Sequence, residues 1–111
     1  MSSDVETRNN GANTVDNEPA KRPLPVPMWQ NEILSLQQAA FETNQSEKTI
    51  RRLCIEFGIG RRSARGGHYQ ISSPALQMVM SNDLVALELL RAGQREAPEV
   101  IRYLRALQLV A

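Results

Sequence analysis

Between positions 36 and 57 the apolar residues recur at the spacing of two amphipathic helices joined by a short polar turn. The face predicted for the first helix is small and apolar, because residues three, four and seven positions apart share one side: Leu36, Ala39, Ala40 and Thr43. Ser35 precedes this run and Gln38 follows it by three, which is the pattern of a capping box. Asn44 and Gln45 then interrupt the pattern, so the first helix is predicted to end there.

The second helix is predicted to begin after Ser46, a good N-cap residue, and to stop at Gly58. Its apolar stripe consists of Ile50, Leu53, Cys54 and Phe57, and its outer side carries Glu47, Lys48, Arg51, Arg52 and Glu56. Two short helices with a tight turn and a basic second helix are the helix-turn-helix arrangement that enters the major groove of DNA. An ordinary helical hairpin with a solvated charged face accounts for this helix pair equally well.

A basic hairpin is predicted directly after the second helix. Residues 59–62 and 68–71 are suited to two short strands, and the loop between them contains Gly66 and Gly67, which allow the positive φ angles of a hairpin turn. Three arginines lie on or beside the loop: Arg61, Arg62 and Arg65. A hairpin in this place acts as a wing that reaches the minor groove or the phosphates, which favours the DNA-binding interpretation.

These segments together resemble the winged helix-turn-helix of the excisionase and MerR-type DNA-binding proteins. The resemblance is carried by residues 37–53, QQAAFETNQSEKTIRRL, and by 66–71, GGHYQI. It implies a winged helix-turn-helix with recognition helix 46–57 in the major groove and basic wing 59–71 on the phosphates or minor groove. The family usually has a glycine and an apolar residue in the turn and an aromatic residue in the second helix, where this chain has Asn44, Gln45 and Leu53.

Charge is concentrated on the same stretch. The chain of 111 residues has a formal net charge of only +1, but residues 46–70 carry six Lys and Arg against two Glu. A local positive patch is typical of a duplex-binding surface. The predicted DNA-binding residues are Ser46, Glu47, Lys48, Thr49, Arg51, Arg52, Arg61, Arg62, Arg65 and His68.

Three further helices are predicted after the hairpin. The first is predicted to have Ser73 as its N-cap and to run from Pro74 to about Ser81, a second covers 84–92 before Gly93, and the last opens at Pro98. The stripe of the last helix is Val100, Ile101, Leu104 and Leu107. We expect Leu104 to belong to the core, with a homodimer contact as the alternative. Four residues ahead of the first helix are expected to cover the core, Trp29 with the largest area: Met28, Trp29, Ile33 and Leu34.

The chain is predicted to be mainly α with a small β-hairpin, preceded by a disordered tail. Residues 1–27 are rich in Asn, Asp, Glu, Thr and Pro and hold few apolar side chains, so they cannot offset the entropy of ordering. The predicted division is a tail at 1–27 and one winged helix-turn-helix domain with its C-terminal helices at 28–111.

Catalytic chemistry finds little support in the sequence. There is one His and one Cys, so neither a metal cluster nor an internal disulfide is expected, and no glycine loop for phosphate is present. No cofactor is expected, and the protein is predicted not to be an enzyme. The N-terminus lacks an apolar signal segment and no run is long enough to cross a membrane, which predicts a cytoplasmic protein without a membrane partner.

The function predicted is sequence-specific binding of double-stranded DNA, as a small transcriptional regulator or an excisionase-like recombination directionality factor. The further partners expected are a recombinase or another regulator, or a second copy of the chain. The alternative is a protein-binding adaptor or anti-activator on a winged scaffold, because the C-terminal helices are more apolar than a small winged domain requires.

Overall fold

Helices dominate the described part of the chain, residues 23–63 and 67–109 of this computed structural model. In that part five α-helices and three short strands are present. The helices are α1 Leu36–Thr43, α2 Glu47–Phe57, α3 Ser73–Met80, α4 Leu84–Arg91 and α5 Pro98–Ala106. The strands are β1 Ile33–Leu34, β2 Gly60–Arg62 and β3 Tyr69–Ser72, and a single 3₁₀ turn, Gln30–Glu32, precedes β1. The prediction of a mainly helical chain with a small β component is confirmed.

The predicted capping box starts α1. The Ser35 hydroxyl accepts a hydrogen bond from the Gln38 backbone N–H at 3.1 Å, and the Gln38 side chain accepts one from the Ser35 N–H at 2.9 Å. Asn44 ends the helix with a φ of 56°, in the left-handed region where Asn is tolerated better than most residues. The turn from α1 into α2 therefore needs only residues 44–46.

Gly58 ends α2 for two physical reasons. Its φ is 69°, which favours glycine, and a Cβ at this position would lie 2.7 Å from the carbonyl oxygen of Leu24. The chain at Leu24 therefore packs directly on the C-terminus of α2. The Val26 N–H also donates to the Gly58 carbonyl at 3.0 Å.

The three strands form an antiparallel sheet in the order β1-β3-β2. In the hairpin, Gly60 pairs with Ile71 and Arg62 with Tyr69. The predicted hairpin is thus present, with each strand starting one residue later than expected. The additional strand β1, in which Leu34 pairs with Ile71, was not predicted, because two residues are too few to show an alternating pattern.

The C-terminal helices close the core over α2 and the sheet. The N-cap of α3 is Ser72, not Ser73 as predicted, and its hydroxyl accepts from the Ala75 N–H at 3.3 Å. Gly93 follows α4 with a φ of 82°, close to the predicted stop. Leu104 is 2% exposed, so the expectation that it is a core residue is confirmed. It shares the core with apolar residues of every helix, among them Ile50, Leu76, Leu87, Leu90 and Val100.

The folded part of the chain begins before residue 28. The predicted tail included Val26, but this side chain is 0% exposed. The Arg91 guanidinium on α4 donates to the carbonyl of Leu24, and also to the carbonyl of Phe57 at 2.7 Å. The prediction failed because the prolines around Val26 resemble a linker in composition. The rest of the predicted tail, residues 1–22, lies outside the described residues.

Trp29 is less buried than expected. The prediction gave it the largest share of the core surface, yet it is 52% exposed. Its ring packs instead against the guanidinium of Arg95, whose central carbon lies 4.0 Å from the ring centroid.

Candidate functional site

The middle of the exposed side of α2 presents two cations and one aliphatic residue, and the exposed side chains of Arg51 and Glu56 flank them. Ile50, Leu53 and Cys54 turn inward and are 0%, 9% and 4% exposed. Because successive residues of a helix are rotated by about 100°, the opposite side carries Lys48, Arg52 and Ile55. Lys48 and Arg52 are both exposed, and neither forms an ion pair with another residue that the structure describes. The positive charge of these two side chains is therefore available to a ligand.

The four other predicted residues of α2 and its N-cap make contacts within the helix. Arg51 forms a half-exposed ion pair with Glu47 at 3.5 Å, so part of its charge is offset. Ser46 is the N-cap: its hydroxyl accepts from the Thr49 N–H at 3.1 Å and donates to the Thr49 hydroxyl at 3.0 Å. Ser46 and Thr49 thus shape the start of the helix, Glu47 pairs with Arg51, and Lys48 and Arg52 are the cations of α2 without an ion pair among the described residues.

The hairpin holds two more exposed arginines. The Arg61 Nε donates to the Gln70 side chain at 3.0 Å across the strand pair, which holds its guanidinium beside β3. The Arg62 guanidinium carbon lies 5.8 Å from the Tyr69 ring centroid. Adjacent residues of a strand point to opposite faces, so the two arginines flank the hairpin on both sides.

A backbone hydrogen bond continues the hairpin beyond the ends of its two strands. The Ser63 N–H donates to the His68 carbonyl at 2.6 Å. Gly67 has a φ of 72°, which favours glycine, and a Cβ there would displace the Arg62 guanidinium. His68 is exposed beside it. Arg65, predicted to bind DNA, lies outside the described residues.

Two depressions lie beside the hairpin. The first, of about 360 Å³, lies between the start of α1 (Ser35, Leu36 and Gln37) and the hairpin residues Gly67, His68 and Tyr69, with Glu47 of α2 at its border. The second, of about 460 Å³, is lined by Ile55 of α2, by Arg61, Arg62 and Tyr69 of the hairpin, and by Pro23 and Pro25. Gly60 of β2 packs closely on Cys54 of α2, so the helix and the hairpin lie side by side. The predicted residues Lys48, Arg52, Arg61, Arg62 and His68 belong to these two adjacent elements, called here the helix–hairpin surface.

Cys54 does not contribute a reactive group to this surface. Burial raises the pKa of its thiol to about 11, so it stays protonated at neutral pH. A Cβ on Gly60 would lie 2.6 Å from its sulfur, which shows how closely β2 packs on α2. Cys54 is a small apolar core residue, as predicted.

A second charged cluster lies among the C-terminal helices and is structural. Asp83 caps α4: its carboxylate accepts from the Ala86 N–H at 3.1 Å and from the Tyr103 hydroxyl at 2.9 Å. These two hydrogen bonds hold the pKa of Asp83 below its usual value, with Arg102 at 3.1 Å as a smaller cause. Burial, and then the bond to Asp83, raise the pKa of Tyr103. The cluster ties α5 to the start of α4.

Neither a metal site nor a membrane-spanning helix is present in the part of the chain that the structure describes. Among residues 23–63 and 67–109, no three His, Cys, Asp or Glu side chains are placed to hold a metal ion. Within these residues no helix combines the length and apolar character needed to span a membrane.

Comparison with known proteins gave no matching family model, no matching curated protein and no matching solved structure. Function is therefore inferred from the geometry of the helix–hairpin surface. The sequence predicted its cations but not Ile55, Tyr69 and Gln70, which border it. The alternation of residues 69–71 along a strand was the only signal for Tyr69 and Gln70. The signal for Ile55 was its position outside the apolar stripe of α2.

Proposed function

We propose that this chain is a sequence-specific double-stranded-DNA-binding protein of the winged helix-turn-helix class. The observation that carries the proposal is that Lys48 and Arg52, two cations on the outer side of α2 with no ion pair among the described residues, lie beside the arginine-bearing hairpin. A cationic helix beside a cationic hairpin matches the two contacts that such proteins make, one in the major groove and one on the backbone.

The dimensions of α2 suit the major groove. The helix has 11 residues, which corresponds to about 16 Å at 1.5 Å per residue. B-DNA has a major groove about 12 Å wide, into which one α-helix fits. Its N-terminus is exposed and capped by Ser46, so the first turn is ordered before any ligand arrives. In the proposal, α2 is the recognition helix and β2–β3 is the wing.

The side chains divide into two roles under this proposal. Arg52 and Lys48 face the base edges, where an arginine pairs with guanine through two hydrogen bonds. Arg61, Arg62 and His68 hold the phosphates or the adjacent minor groove, and Arg65 is assigned there from the sequence alone. Arg51 takes part with less charge to offer, since Glu47 pairs with it.

The biological role that follows is binding without catalysis. The protein would act as a small transcriptional regulator or as an excisionase-like factor that assists a recombinase. Two copies reading half-sites about one helical turn apart is a further option for such a domain. Val100 and Leu104, which belong to the α5 stripe considered for a dimer contact, are buried in the core, so a dimer would form through another face.

A salt series tests the proposal. If about five cationic groups neutralise phosphates, the slope of log K against log salt is near −5. Affinity of the full chain for a mixed-sequence duplex is measured from low to physiological salt. Steep salt dependence supports the proposal, and absence of binding at the lowest salt rejects it.

A protein-binding role is the second candidate, and one observation favours it. Three large apolar side chains near the junction of α3 and α4 are exposed: Met80 by 40%, Leu84 by 44% and Val85 by 67%. An apolar patch away from the helix–hairpin surface is typical of a docking site. Failure to bind any duplex, with loss of partner capture in Val85→Asp, would support this role in place of DNA binding.

A further inference from the structure

Ile55 is the one aliphatic residue of α2 that the core does not use. Its side chain is 55% exposed, while Ile50 and Leu53 on the same helix are 0% and 9% exposed. Isoleucine also has a lower helix propensity than lysine, glutamate or arginine, so an exposed helix position does not favour it locally. Helix propensity does not account for an isoleucine at this position, and it packs only in part, in the depression that it lines together with Pro23 and Pro25.

Ile55 lies beside two arginines on the outer side of α2. It follows Arg52 by three residues and Arg51 by four, so all three neighbour one another on the outer side of α2. Across the adjacent depression it faces the hairpin strand that carries Arg61 and Arg62. An aliphatic group among cations would lie at the base edges if α2 occupied a major groove.

We infer that Ile55 is a specificity-determining residue that selects thymine by contact with its C5-methyl group. This inference rests on the proposed function. In the major groove the methyl of thymine is the apolar feature that distinguishes it from the other bases, and aliphatic side chains recognise it by contact. The arginines beside Ile55 bind guanine or phosphate. Ile55 contributes recognition of a thymine that lies within reach of the same helical turn.

Replacing thymine by deoxyuridine tests this inference, because it removes only the methyl group. A preferred site is first selected by the full-length protein from random-sequence duplexes. Each thymine of that site is then changed to deoxyuridine. At one position the wild-type protein is expected to lose about fourfold in affinity, the ratio that burial of one carbon group gives.

The Ile55→Ala variant completes the cycle. It is expected to bind the thymine site at least about fourfold more weakly and to be indifferent to deoxyuridine at that position. Val85→Ala is the matched control, since Val85 is 67% exposed on α4 and its truncation removes a similar group outside the helix–hairpin surface. This control should keep the wild-type response.

The outcomes distinguish a failure of this inference from a failure of the proposed DNA binding. Tight binding of a selected site with no sensitivity to any single deoxyuridine overturns the role of Ile55 and leaves DNA binding standing. Equal sensitivity in wild type and Ile55→Ala overturns it as well. No retention of any duplex at low salt overturns both.

Discussion

Arg95 and Glu32 form a two-point ion pair, with Nη–Oε distances of 2.6 and 2.8 Å, although 63 positions separate them in the chain. Glu32 is 1% exposed, and Arg95 is the only cation that contacts its carboxylate among the described residues. The same guanidinium donates to the Pro27 carbonyl at 3.1 Å and lies over the Trp29 ring. One arginine after α4 therefore fixes the chain that leads into β1.

Removing this arginine should destabilise the fold strongly. Arg95→Ala leaves the Glu32 carboxylate buried without its partner, which costs about 3–5 kcal/mol for a pair of this kind. Urea unfolding followed by circular dichroism measures the loss. Arg51→Ala is the control, because its pair with Glu47 is half exposed and worth about 0.5 kcal/mol or less. Equal losses in the two variants would contradict a structural role for the buried pair.

The proline-rich segment of residues 23–27, called here the arm, should contribute to the stability of the fold. A chain starting at Pro23 keeps the buried Val26 and the carbonyls bound by Arg91 and Arg95, and a chain starting at Met28 loses them. Burial of one valine side chain contributes about 1.5–3 kcal/mol. The chain starting at Met28 is therefore expected to unfold at lower urea concentration than the one starting at Pro23. Coincident unfolding curves would show that the arm adds nothing.

Arginines of the helix and of the hairpin should affect binding in different ways. Arg52→Ala is expected to lose about 1–3 kcal/mol of discrimination between a selected site and a scrambled duplex. Arg62→Ala should weaken both duplexes nearly equally and reduce the salt slope by about one, as expected for a phosphate contact. Competition assays at several salt concentrations separate the two effects.

Arg105→Ala is the matched control for these variants. Arg105 is exposed on α5, away from the helix–hairpin surface, so its loss should change neither affinity nor slope appreciably. If Arg52→Ala loses only general affinity, the assignment of base reading to Arg52 is wrong.

Acid should remove the contribution of Asp83. Hydrogen bonds from the Ala86 N–H and the Tyr103 hydroxyl hold the pKa of Asp83 below its ordinary value of 3.8 in the folded chain. A carboxyl with a lowered folded pKa stabilises the fold above its unfolded pKa, and that contribution is lost as pH falls through the folded pKa.

Asp83→Asn provides the comparison, because asparagine keeps a capping oxygen but cannot ionise. At neutral pH the wild-type protein should melt at a higher temperature than the variant, and the gap should close as the pH is lowered below about 4. A gap that stays constant from neutral to acid pH would show that the ionisation of Asp83 does not stabilise the fold.

Local signals in the sequence were sufficient for α1 and α2. Ser35 with Gln38, Ser46, and the left-handed Asn44 and Gly58 each act within a few residues of themselves, so the bounds of both helices could be predicted. The same holds for the hairpin, whose glycine loop and short strands are neighbours in the chain.

Contacts between distant residues were not predictable in this way. The Glu32–Arg95 pair spans 63 positions, and a lone glutamate in a sequence gives no sign that it is buried. Val26 was missed because its proline neighbours suggest a linker. The Arg51–Glu47 pair has helix spacing, but only coordinates show that it, and not Arg52, is engaged. The sequence thus predicted which residues of the candidate site are charged, but not which of these charges form ion pairs.

The most direct test of DNA binding by the helix–hairpin surface is a titration of the ¹⁵N-labelled full-length protein with a mixed-sequence duplex, followed by NMR. Backbone amide shifts are expected to change first at Lys48, Arg52 and Ile55 of α2, and at Arg61, Arg62 and His68 of the hairpin, with little change at Met80, Leu84 and Val85. An unchanged spectrum at low salt, or changes confined to the α3–α4 junction, would contradict the proposed function.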